Sequence, residues 1–395
     1  MRPSVKLSQV PPYLFAEIDK KIEAARAKGV DIINLGIGDP DRPTPQVIVD
    51  AMHKSIDDAS THDYPPYQGT LEFRKACADW MKDRFNVNVA PKSEVLAMIG
   101  SKEGIAHMIF AMVDPGDYVL VPDPGYPVYK SFTILSGGEP YSVPLKPENG
   151  FKPDFDMVPE EVAKKAKLLF INFPNNPTGA IADIDYFKKV LAFAKKYDIL
   201  ICNDMAYSEM TFDGYVAPSF LEVDGSKDHV IEFYSHSKTY NMTGWRVGWA
   251  AGSSKAIDAL SLIKNNCDSG VFKAIQKAAI KALEEHDNLI DEINSVYQKR
   301  RDTFIEGLNK LGWNIKPNKA TFYLWLPVPE GMSSVEFATL MLEKAGIVVP
   351  AGVGYGSCGE GFFRIALTVS NDRLEEALTR MEKHGITYNA LKAAR

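Results

Sequence analysis

Cysteine is scarce in this chain, with four in 395 residues. Cys77, Cys202, Cys267 and Cys358 lie far apart, so no CxxC pair and no zinc-binding spacing can be drawn. The seven histidines form no HExxH, and no metal site is expected. No apolar run is long enough to span a bilayer. The stretch from Met1 to Phe15 is broken by Pro3, Pro11 and Pro12 and lacks the apolar core of a signal peptide, so a cytoplasmic protein is expected. Low-complexity tracts and internal repeats are also missing. The net charge of −6 argues against nucleic acid or an anionic membrane as the main partner. A DNA-binding regulator would bring a basic helix-turn-helix extension, and none is found.

What remains is a chain that is 45% hydrophobic and 24% charged, long enough for two domains with real cores. Short β-rich runs alternate with helical stretches. Strands are expected at Val95–Ile99, Tyr118–Val121, Leu168–Asn172, Ile199–Asn203, Val230–Tyr234 and Val247–Ala251, with amphipathic stretches such as Tyr186–Lys196 between them. Such alternation predicts a mostly parallel α/β sheet. The charged segment Lys281–Leu311 reads as a helical bridge out of that domain. Beyond it, Thr321–Leu326 and Phe362–Leu367 read as strands, and Ser333–Lys344 and Asp372–Lys383 as helices. A large domain over 45–285 is expected, with a smaller one made of 286–395 and the N-terminal segment 1–44.

Most of the chemically interesting residues fall just after expected strands, the edge where open parallel sheets bind ligands. The run SHSKTYNMTGWRVG occupies 235–248. Lys238, hemmed in by Ser235, Ser237 and Tyr240, could be partly desolvated; its amine would then lose its proton readily and act as a nucleophile. Arg246 could hold an anion beside it. A lone lysine is more often a solvated loop residue, but this one has company. NFPNNPTG at 172–179 forms a rigid turn that could aim Asn176 into a cleft. Asp204, after strand Ile199–Asn203, could pair with a cationic nitrogen and keep it protonated, or could simply cap a helix. GSKEG at 100–104 joins a strand to a helix, so Ser101 is either a capping serine or part of a phosphate-binding helix N-terminus. In DPGYPVY, Tyr126 could stack on a flat ring. LGIGDP at 35–40 lacks the third glycine and the preceding βαβ unit of a dinucleotide loop, and Gly352–Gly361 lacks a Walker lysine and reads as a flexible loop.

In order, GIGDPDRPTP, YPPYQG, GSKEGI, DPGYPVY, NFPNNPTG, NDMAY, SHSKTYNMTGWRVG and FFRIAL resemble the class I/II aminotransferases of the fold-type I pyridoxal-phosphate family over nearly the whole chain. NNPTG together with SxSK(x)7R carries most of that specificity. The resemblance implies an α/β fold with a mostly parallel seven-stranded sheet and a smaller α+β domain. It makes Lys238 the Schiff-base lysine and proton shuttle. Asp204 would pair with the pyridine nitrogen, Tyr207 and Asn176 would bond the ring's phenolate oxygen, and Tyr126 would stack on the ring. Ser101, the Lys102 N–H, Ser235 and Arg246 would hold the phosphate, joined by Tyr64 across a homodimer. Arg364 would grip the substrate α-carboxylate, helped by Asn176 and the Gly38 backbone. Met205 departs from the acid that many relatives carry. Glu103, beside the phosphate loop, is expected to turn away. Within the family, the opening QVPPYLF, GIGDPDRPTP and NDMAYSEMTFDG look most like LL-diaminopimelate aminotransferases. Broad alanine or aspartate/glutamate aminotransferases and a carbon–sulfur lyase are the alternatives. The implied partners are amino acids and 2-oxo acids.

Overall fold

The computed structural model describes residues 2–11, 20, 22–27 and 29–393; Pro12 to Phe15 of the opening motif lie outside the described residues. In chain order the strands are β1 (Ile33–Asn34), β2 (Val95–Met98), β3 (Tyr118–Asp123), β4 (Glu139–Pro144), β5 (Ala166–Ile171), β6 (Leu200–Asp204), β7 (Val230–Ser235), β8 (Gly248–Gly252), β9 (Tyr323–Pro327), β10 (Ile347–Val348) and β11 (Phe362–Ala366).

Seven of them form one sheet in the order β2-β8-β7-β6-β5-β3-β4. β3, β4, β5, β6 and β7 run parallel to one another, whereas β8 is antiparallel to both β2 and β7. Its inner strands are buried on both faces, as parallel strands require. Phe170 and Phe233 meet Ile105, Met108 and Ile257 on one face, and Leu169, Ile171 and Ile201 meet Phe187 and Leu191 on the other. The α/β fold with its mostly parallel seven-stranded sheet therefore stands, with strand ends shifted by a residue or two from expectation. β4 escaped notice because Pro140 and Pro144 punctuate it. It lies at the sheet edge, where proline costs no ladder bond.

The helical bridge divides at Glu285, between the helices Lys273–Glu284 and His286–Lys310. After His286 the chain enters a smaller α+β unit. There β9 and β11 pair antiparallel, β10 takes β1 as a parallel partner, and helices Ser334–Ala345 and Asn371–Lys383 pack alongside. Its core gathers Phe304, Leu308, Phe322, Leu326, Phe337 and Phe363, joined by Ile33 and Leu35. The short helix Val5–Gln9 reaches the helix Pro127–Ser136, where the Lys6 ammonium donates to the Leu135 carbonyl at 3.2 Å.

Gly352–Gly361 corrects an expectation. Instead of a flexible loop it forms two 3-10 turns, Gly352–Tyr355 and Ser357–Gly359. Gly352 and Gly359 press together so closely that neither could carry a Cβ, and the buried Asp123 carboxylate accepts from the Cys358 N–H at 2.9 Å and the Ser357 hydroxyl at 3.3 Å. No described helix is long and apolar enough to cross a membrane.

Candidate active site

The C-terminal ends of β3, β5, β6 and β7 meet around a cavity of about 370 Å³. Gly38, Ser101, Lys102, Tyr126, Asn176, Asp204, Tyr207, Ser235, Lys238 and Arg246 all line it. Of the residues expected at the site, only Arg364 and Tyr64 stand outside this wall.

Lys238 sits in the single helical turn His236–Thr239 that follows β7. Its ammonium donates to the Gly38 carbonyl at 2.6 Å. Burial lowers its pKa to about 8; Asp39 opposes the shift, and Arg364 and Arg246 add to it. A far larger share of this amine is therefore unprotonated near neutral pH than for an exposed lysine.

Asp204 ends β6 and is buried. Tyr129 donates to its Oδ2 at 2.8 Å, the Ala206 N–H donates to Oδ1 at 3.2 Å, and the Asn172 amide holds its backbone carbonyl at 2.6 Å. Burial raises the carboxyl pKa to about 6, against the opposing effect of the bonds from Tyr129 and Ala206. No helix starts here, so the capping alternative is set aside. A desolvated carboxylate in this place is suited to a cationic partner.

At the opposite end, Gly100 precedes the helix Ser101–Met112 with φ of +79°. Ser101 is the first helical residue and makes no side-chain cap, which removes the capping-serine alternative. Arg246 adopts a left-handed backbone with φ of +56° and donates to the Thr243 carbonyl at 2.8 Å. A Cβ on Gly100 would strike the Arg246 guanidinium, and one on Gly248 would lie 3.1 Å from the Ser101 N–H. Two glycines thus let an arginine, a serine and a helix N-terminus close on one point, an arrangement made for an anion. Glu103 does turn away: its carboxylate accepts from the Ile99 N–H at 2.9 Å and faces Lys264 at 3.5 Å.

Arg364, on β11, is fully buried behind the cavity wall. It donates to Asn176 Oδ1 at 2.9 Å and to the Gly36 carbonyl at 2.5 Å, with its guanidinium 4.0 Å from the Tyr323 ring centre. Tyr207 and Tyr323 share a hydroxyl contact of 2.9 Å, and burial pushes the Tyr207 phenol well up. A Cβ on Gly38 would overlap the Tyr323 hydroxyl, so glycine is required there for the small unit to close on the sheet. Tyr64 is 83% exposed and does not line the cavity of its own chain.

Sequence reading overlooked Tyr129, Tyr323 and Asn172. Tyr129 stands in DPGYPVY and Asn172 opens NFPNNPTG, so motif position was a usable signal for both. Tyr323 had none, because its place depends on how the small unit packs.

The family model for aminotransferase class I and II matches residues 30–381. An LL-diaminopimelate aminotransferase 2 from a Nostoc species is 58% identical over 384 residues, covering 97% of this chain and 98% of that protein. An LL-diaminopimelate aminotransferase from Gloeobacter violaceus is 56% identical over 390 residues, covering 98% and 100%. Among solved structures, the substrate-bound BacF structure from Bacillus subtilis superposes with a TM-score of 0.93 at 37% identity, over 97% of this chain and 98% of that one.

Proposed function

The chain belongs to the class I and II aminotransferases, and from that premise we propose that it moves an amino group from LL-diaminopimelate to 2-oxoglutarate, with pyridoxal phosphate as cofactor. The observation that carries this reading is the placement of Lys238, Asp204 and the Ser101–Arg246 cradle around one cavity. The residues fit the cofactor. The cradle that a Cβ at Gly100 would fill suits a phosphate, the buried carboxylate of Asp204 suits a ring nitrogen that must stay protonated, and Tyr126 offers a ring face.

In this reading Ser101, the Lys102 N–H, Ser235 and Arg246 hold the phosphate. When bound, the cofactor supplies an electron sink for the charge left on the substrate's α-carbon. Asp204 keeps a proton on the ring nitrogen, and Tyr129 fixes the direction of that carboxylate. Tyr207 and Asn176 hydrogen-bond the ring oxygen. With the cofactor bound, Lys238 would take the proton from the α-carbon and return one to the cofactor-side carbon, a task its lowered pKa fits. Arg364 grips the α-carboxylate with a planar two-pronged contact, with Asn176 and the Gly38 backbone beside it. Tyr64 reaches the phosphate of a partner subunit, which makes the homodimer the active unit. Residues 45–285 form the cofactor-binding domain, and 286–395 with 1–44 the smaller one.

The substrate assay is direct. The keto product of LL-diaminopimelate cyclises, and o-aminobenzaldehyde traps it as a coloured adduct. Colour that depends on 2-oxoglutarate is expected. Brisk transamination of alanine or aspartate with none of LL-diaminopimelate would remove this substrate and leave the aminotransferase. Borohydride should fix the cofactor to the peptide containing Lys238, and labelling of another lysine would overturn the site.

A further inference from the structure

Beneath the Lys238 turn lies a second, much smaller cavity of about 20 Å³, bounded by Trp80, Glu209, His236, Thr239 and Tyr240 among others. That is room for one water molecule. The Trp80 indole N–H and Glu209 Oε1 are buried with no hydrogen-bond partner within the protein, while the buried His236 ring bonds the Ala279 backbone. Native proteins rarely leave such groups unsatisfied, and both of these residues border the same small space.

The other oxygen of Glu209 is engaged. Its Oε2 accepts from Arg84 Nε at 3.0 Å and lies 3.1 Å from His286 Nε2, while His286 Nδ1 meets the Tyr240 hydroxyl at 2.7 Å. Burial pushes the Glu209 carboxyl up, but His286 and Arg84 outweigh it and hold it below the usual range, so it stays ionised. Glu209 Oε2 thus sits between the Arg84 guanidinium and the His286 ring, and the His286 Nδ1–Tyr240 contact carries that hold to the lysine turn. Trp80 stands edge-on to the His286 ring at 5.4 Å, and the Asn294 amide fixes the Glu209 backbone carbonyl at 2.8 Å. His236 and Tyr240 flank Lys238 at two residues' distance on either side.

We propose that Glu209 is a positioning residue for Lys238: one trapped water shared with Trp80 fixes its carboxylate, and His286 and Tyr240 carry that hold to one flank of the lysine turn. The proposal rests on the reading of Lys238 as the cofactor lysine. Because His286 opens the long helix into the small unit, the same network ties the lysine turn to the junction between the two units.

Crystals of the holoenzyme diffracting well enough to show ordered water are expected to reveal one water between Trp80 Nε1 and Glu209 Oε1; a dry cavity overturns the proposal. Glu209→Gln and Tyr240→Phe, the second removing a single oxygen, are expected to lower kcat about tenfold or more while KM stays within about twofold. Both should also shift the pH midpoint of the visible absorbance change of the lysine-linked cofactor. A lowered Tm with kcat and that midpoint unchanged would mean a merely structural role and would overturn the proposal. Borohydride labelling separates the two levels. A label on another lysine sinks the reading of Lys238. A label on Lys238 with kcat and midpoint unchanged in both variants sinks only the positioning role.

Discussion

The two sides of the cavity are built by different means. On the sheet side, Ser101, Tyr126, Asp204, Ser235 and Lys238 each stand within a few residues of the end of a strand, so local chain geometry delivers them. On the other side, Arg364 finds Asn176 across 188 positions and Gly36 across 328. Its site exists only because β11 packs against the N-terminal segment and the sheet. The Lys238 half is thus a property of strand ends, and the Arg364 half a property of the contact between two units. Damage to the first should remove chemistry, and damage to the second should weaken recognition.

The largest effect is expected at the centre of the sheet side. Lys238→Ala should lower turnover by about 10⁴-fold, the upper range for a positioned acid–base group, with the fold intact by circular dichroism. Asp204→Ala should follow with a loss of about 10²- to 10³-fold in kcat, seen in steady-state assays with saturating cofactor. If that variant kept near-normal turnover, the two sides would not differ as argued.

A third test uses the cofactor-free chain. The folded pKa of Lys238, about 8, lies below the ordinary 10.5, so the unfolded chain binds this proton more tightly. The resulting penalty on folding is full below pH 8 and fades as pH rises toward 10.5. Lys238→Met should therefore stabilise the cofactor-free protein by about 3 kcal/mol at pH 7 and by almost nothing above pH 10.5, measured by urea melts. An equal gain at both pH values would argue that the lysine is not buried as an ammonium.

On the substrate side, Arg364→Lys should cost about 10- to 50-fold in kcat/KM, mainly through KM, and leave cofactor affinity unchanged, because a lysine cannot make the planar two-pronged contact. Spectrophotometric cofactor titration beside steady-state kinetics would separate the two. The smallest change is expected for Tyr323→Phe, which removes one hydroxyl contact with Tyr207 and should alter kcat/KM only a few-fold, about 1 kcal/mol.

This division also explains what the sequence made legible. The buried runs of β5, β6 and β7 read clearly, and the residues that follow them could be placed at the ligand edge without knowing their neighbours. Asp204 was in view for that reason, while its partner Tyr129 was passed over because it lies inside a helix, one turn beyond Tyr126. Arg364 was identified by resemblance alone: nothing in FFRIAL says that its guanidinium is enclosed by Tyr323, Asn176 and Gly36. Gly352–Gly361 misled because glycine is shared by flexible loops and by tight ones, and only the back-to-back approach of Gly352 and Gly359 tells them apart.

The reversed direction of β8 sets a limit on what this chain can tolerate. Since β8 runs against β7, the connection 236–247 leaves and re-enters the sheet at the same edge, and it carries Lys238 and Arg246 there on one short span. A parallel β8 would have required a crossover and would have started at the far edge of the sheet. The span therefore works as a ruler pinned at Ser235 and Gly248. A residue inserted between Lys238 and Arg246 must either bulge at the exposed Gly244 or displace the amine or the guanidinium. Indel scanning should find the buried part, residues 239–242, least tolerant, although it belongs to no long helix or strand.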